Sequence, residues 1–101
     1  MVRKRRVIWS LTAQADRKAI LNYWKKRNKS SVYPKKLRQT INHIIQQLLS
    51  QPHIGAELTK HIRKKTVNDY LIIYEFNDEV LLILSIFDTR QNPDKLDKYF
   101  L

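Results

Sequence analysis

Apolar residues recur at two different periods along this chain, and the change of period divides it near the middle. Between residues 13 and 27 they fall at Ala13, Ile20, Tyr23 and Trp24, with Ala19 and Leu21 beside them, which is helical spacing. Tyr33, Leu37, Ile41, Ile44, Ile45 and Leu48 make a cleaner stripe, with Lys35, Lys36, Arg38, Gln39, Asn42, Gln46 and Gln47 on the polar side. Pro34 fits only the first turn of this second helix. The link Asn28-Lys29-Ser30-Ser31 is short, which predicts an antiparallel helical hairpin. Ahead of it, Val7-Ile8-Trp9 predicts a short strand. Ser10 or Thr12 can cap the first helix, and Asp16 suits its positive end.

The second helix ends at Ser50-Gln51-Pro52-His53-Ile54-Gly55, and the segment on to Lys60 is expected to be loop. The period then drops to two. Residues 62–67 predict a basic strand. Tyr70–Phe76 predicts another, with Tyr70, Ile72, Tyr74 and Phe76 on one face and Leu71, Ile73 and Glu75 on the other. Asn77-Asp78 signals a tight turn, and residues 80–87 return as a strand apolar on both faces except at Ser85. Residues 92–101 predict a polar C-terminal tail ending in a short helical turn. Residues 1–101 therefore predict one α+β domain of order β-α-α-β-β-β. Its two-helix antiparallel hairpin packs on one face of a small, mainly antiparallel sheet. Two helices cover only one face. The last two strands are apolar on both, so the tail or a partner should cover the second.

Composition adds the partner's character. Twenty Lys and Arg against nine Asp and Glu give a net charge of +11, which calls for an anionic partner. The clusters Arg3-Lys4-Arg5-Arg6, Lys25-Lys26-Arg27, Lys35-Lys36 and Arg63-Lys64-Lys65 are spread along the chain, so a broad positive field is expected. The absence of Cys excludes disulfides, cysteine zinc sites and a thiol nucleophile, and suits a cytoplasmic location. No apolar run approaches the roughly 18 residues of a membrane span, and the basic N-terminus lacks the apolar stretch of a signal peptide. One Gly excludes a glycine-rich phosphate loop. His43, His53 and His61 lack zinc-ligand spacing, so neither metal nor cofactor is expected.

Four motifs then resemble one family. Ser10-Leu11-Thr12-Ala13-Gln14-Ala15-Asp16, followed by Ile20 and Tyr23, is similar to the opening of the RelE/ParE superfamily, the toxins of bacterial type II toxin–antitoxin modules. Leu48 to Gly55 resembles its helix exit. Ile62-Arg63, then Tyr70 and Tyr74, resembles its sheet entry. Ile83-Leu84-Ser85-Ile86-Phe87-Asp88-Thr89-Arg90 resembles its last strand and following Arg. The resemblance runs from Val7 to about Pro93 and lies closest to the ParE branch. It implies a growth-inhibiting toxin that binds DNA gyrase and forms a hetero-oligomer with a small acidic antitoxin. The antitoxin is expected on the apolar strand residues Leu71, Ile73, Leu81, Ile83 and Phe87.

The alternatives are a RelE-like endoribonuclease that cuts mRNA on the ribosome and a plain basic nucleic-acid-binding module. Cleavage without metal needs cations around the phosphate and groups that move protons. Arg63, Lys64, Arg90 and Tyr99 are the candidates here. Leu71 stands where the cleaving branch commonly has Arg, and the Tyr or His-Tyr expected near its last strand is absent there. A non-enzymatic toxin is therefore favoured. Arg90 and Arg63 are its candidate target contacts. Each also has a structural reading: Arg90 as partner of Asp88 or Asp94, Arg63 as partner of Glu75 or Asp69. Trp24 is expected in the core, while Trp9 could be core or a stacking platform.

Overall fold

The computed structural model describes residues 5–99. Arg3 and Lys4 of the basic N-terminal cluster and the last two residues of the tail lie outside the described residues. The elements are β1 (Arg6–Trp9), α1 (Leu11–Asn28), α2 (Val32–Ser50), β2 (Ala56–Glu57), β3 (Arg63–Val67), β4 (Tyr70–Phe76) and β5 (Val80–Asp88). Short 3₁₀ segments lie at Pro52–Ile54 and Pro93–Tyr99. The fold class is as expected. The segment expected as loop after α2 instead holds the first 3₁₀ turn and β2.

The five strands stand in the order β1-β5-β4-β3-β2. Every pairing is antiparallel except β1 with β5, which is parallel and runs from Arg6 opposite Val80 to Trp9 opposite Ile83. The helices cover one face. Leu37, Ile41, Ile45 and Leu48 of the α2 stripe are buried against Tyr70, Ile72, Tyr74, Leu81 and Ile83. Ser10 caps α1 by accepting from the Ala13 N–H at 3.0 Å. Trp24 is half-buried at the edge of this core and Trp9 packs beside it.

A register shift separates the two halves of the β4–β5 pairing, because Ile73 faces Ser85 while Tyr74 faces Ile83. Leu84 is the extra residue of this bulge. The groups it frees find partners on α1 and its cap. The Ser10 hydroxyl donates to the Leu84 carbonyl at 2.9 Å. Asp16 Oδ2 accepts from the Ser85 hydroxyl at 2.7 Å and from the Ile86 N–H at 3.0 Å. Asp16 therefore serves the bulge rather than the end of its own helix. The bulge also shifts the alternation of β5. Leu81 and Ile83 face the helices before it, while Ile86 faces them after it.

This corrects two of the residues expected on the open face. Leu81 and Ile83 are fully buried beneath the helices, where no partner reaches them. Ile73 and Phe87 do lie on the second face, but the chain covers them itself, with Leu96 of the C-terminal 3₁₀ segment and Leu58 and Ile62 from the β2–β3 connection. Leu71 and Leu84 remain half-buried at the margin of this small second core.

Candidate functional site

The two arginines singled out by sequence sit at opposite ends of β4. Arg63 pairs with Tyr74, and β5 ends at Asp88, opposite Tyr70. Tyr70 and Tyr74 are four positions apart along β4, about 13 Å at strand rise. The four candidate RNase groups are therefore not brought together.

At the Tyr74 end everything is closed. Tyr74 is fully buried; its hydroxyl donates to the Pro52 carbonyl at 2.6 Å and accepts from the Gly55 N–H at 3.1 Å. Burial raises its pKa above the ordinary tyrosine value. Arg63 donates to the carbonyls of Gly55 (2.8 Å) and His53 (3.2 Å) and pairs with Glu57 at 3.1 Å. Its acid is Glu57, not Glu75 or Asp69. These bonds anchor the turn after α2 and the edge strand β2 to the sheet. Lys64 lies on the other face of β3, opposite Ile73, and joins neither group.

The Tyr70 end opens into a cleft of about 500 Å³. One wall is α1, with Thr12, Asp16, Ile20 and Tyr23; the other is the C-terminal segment, with Lys95, Leu96, Lys98 and Tyr99. The floor is β5 from Ser85 to Asp88. β1 stops opposite Ile83, so this stretch of β5 pairs with β4 on one side and has no strand on the other. Arg90 lines the rim and makes a two-pronged pair with Asp88, Nε to Oδ1 at 3.0 Å and Nη2 to Oδ2 at 2.9 Å. The guanidinium holds the Asp88 carboxyl below the usual carboxylate range, and Asp88 raises that of Arg90 in turn. Arg90 also sits 5.7 Å over the Trp24 ring, whose N–H donates to the Tyr70 hydroxyl at 2.7 Å. Burial raises the Tyr70 pKa, with the Trp24 bond opposing it.

Arg90 is thus both ion-paired and accessible, with 48% of its side chain exposed. Tyr99 shares its cleft, whereas Arg63 and Lys64 are not among the lining residues. Among the described residues, no three His, Asp or Glu side chains gather as a metal would require. The chemistry on offer is mixed, with Ile86 and Phe87 between Ser85 and Asp88 on the floor, Asp16 on one wall, and cations and hydroxyls on the rim, which suits a peptide segment better than a small reactive substrate. Sequence reasoning missed Asp16, Ser85 and the Trp24–Tyr70 bond. All join residues at least 46 positions apart, so no local pattern signals them.

The family model described as "ParE toxin of type II toxin-antitoxin system, parDE" matches residues 7–93. The chain belongs to the ParE toxin family. It is a type II toxin component, and the matched stretch takes in both helices, Arg90 and all of the sheet but Arg6. No curated protein matches it. Among solved structures, a chain of the "Chromosomal ParDE TA system from P. aeruginosa" is similar, with a TM-score of 0.70 and 19% identity. The likeness covers 84% of this ParE-family chain and 96% of that one, and speaks for the fold. No described helix is long and apolar enough to cross a membrane.

Proposed function

We propose that this ParE-family toxin arrests growth in the cytoplasm by binding a protein target, DNA gyrase, through Arg90 and the cleft beside it. The observation that carries the reading is the separation of the two arginines. Arg63 is spent on backbone carbonyls and Glu57, while Arg90 keeps an exposed face at an open cleft. A phosphodiesterase site needs its cations and proton carriers around one phosphate, and Arg63 and Lys64 do not line the cleft that Arg90 and Tyr99 share.

Neutralisation falls to an acidic antitoxin segment in a toxin–antitoxin hetero-oligomer. Its apolar side chains seat in the cleft and against Leu71 and Leu84, and its carboxylates meet Lys95 and Lys98 on the rim. Purified protein added separately to gyrase supercoiling and to cell-free translation tests the target. Loss of supercoiling with intact translation is expected; cleaved mRNA with unaffected supercoiling would overturn the reading.

A further inference from the structure

The net charge is not broad once it is placed on the fold. Residues 11–50, which hold both helices, carry nine Lys and Arg and one acid, Asp16. That one acid is turned inward to β5. Residues 51–101 carry seven Lys and Arg against eight acids. The sheet half is therefore close to neutral, and the surplus belongs to the helical layer and the N-terminus. Among the described residues the two ion pairs, Arg63–Glu57 and Arg90–Asp88, both lie in the sheet half. None of the nine helical-layer cations is in one.

Six of these nine cations line two adjoining clefts on α1 that share Asn22. One lies between α1 and α2 and holds Arg17, Lys18 and Arg38. The other, at the tip of the hairpin, holds Lys25, Lys26 and Lys29 with Ser30 and Ser31. Neither contains an acid. We propose that this outer face of the helical hairpin binds the sugar–phosphate backbone of duplex DNA, independently of sequence and separately from the Arg90 cleft. The inference does not rest on the gyrase reading.

The dimensions favour that ligand. From Arg17 to Lys29 the track runs about 18 Å at helical rise, which spans about five phosphates of one strand. Neighbouring helices stand about 8–10 Å apart. Cations on α1 and α2 can therefore address the phosphate rows on both sides of a B-form minor groove, about 6 Å wide, better than the wide minor groove of an A-form duplex. Neither cleft holds an aromatic platform, which single strands would use. A membrane surface needs an apolar face, and the apolar stripe of α2 is already buried on the sheet.

Fluorescence anisotropy of the full chain with two unrelated 20-base-pair DNA duplexes, over a salt series, tests the proposal. Five phosphate contacts predict a fall in affinity of about 500-fold between 50 and 200 mM salt, alike for both sequences. Replacing Lys18, Lys25 and Lys26 together (Lys18→Gln, Lys25→Gln, Lys26→Gln) should reduce that fall to about 12-fold, with an unchanged melting temperature because all three are exposed. Lys60→Gln with Lys64→Gln, on the sheet half, should leave the salt dependence as it was. Absence of binding at 50 mM, or equal salt dependence in the triple variant and the wild type, would overturn it. So would tighter binding to duplex RNA, to single strands or to anionic vesicles.

Discussion

The two ends of β4 use the same pair of residue types to opposite effect. Each has a buried tyrosine with a hydrogen-bonded hydroxyl and an arginine paired to an acid. At the Tyr74 end the partners are backbone groups of the segment following α2, so both side chains act as fasteners. At the Tyr70 end the partners are the side chains of Trp24 and Asp88, and the arginine stays at the surface of a cleft. An arginine committed to carbonyls cannot leave without orphaning them. One held by a carboxylate two residues away can exchange it for a ligand's.

The strongest way to break this contrast is to crowd the closed end. Gly55 has an ordinary φ, so space alone forbids a side chain there. A Cβ would strike the Tyr74 hydroxyl and come within 2.8 Å of the Lys64 carbonyl. Gly55→Ala should cost about 3 kcal/mol, the upper part of the overpacking range, seen as a fall in melting temperature of more than 10 °C. Tyr74→Phe comes next. It leaves the Pro52 carbonyl and Gly55 N–H unpaired in the core and should cost about 2 kcal/mol in urea unfolding. Tyr70→Phe removes one bond, from a half-buried indole, and should cost about half as much. Equal losses from the two tyrosine variants would erase the distinction between the ends.

Titration gives smaller effects. Both tyrosines are held above the ordinary value of 10.0, so above that pH the unfolded chain ionises first and the native state loses stability. Unfolding midpoints should fall above about pH 10, and less steeply in the two Tyr→Phe variants. Asp88 has the reverse sign. Its pKa is lowered by Arg90, so its contribution is present above the ordinary 3.8 and fades as the pH falls through the depressed value. In Asp88→Asn the acid limb of the stability profile should be flatter, by a small amount because the pair is partly exposed.

Much of this arrangement is legible in the sequence. The α2 stripe places Leu37, Ile41, Ile45 and Leu48 in the core, and the two-residue period of β4 assigns its faces. Local periodicity fails at Leu84, where the bulge shifts the alternation of β5 and sends Leu81 and Ile83 inward. It also fails for β2, a two-residue strand created by pairing with β3 rather than by its own propensity. The partner of Arg63 was open to several acids, since strand register decides it: Glu57 lies directly opposite Arg63 across the β2–β3 pair. Arg90 was legible as a strand-end cation, but its cleft depends on where β1 stops and the C-terminal segment returns.

The most direct test is growth arrest by Arg90→Ala and Arg63→Ala, each expressed at a level matched for folded, soluble protein. Arg90→Ala should melt near the wild-type temperature yet lose arrest, while Arg63→Ala should melt lower and, at matched folded protein, arrest growth as the wild type does. A folded Arg90→Ala protein that arrests growth as fully as the wild type would contradict the assignment of function to the open end of β4.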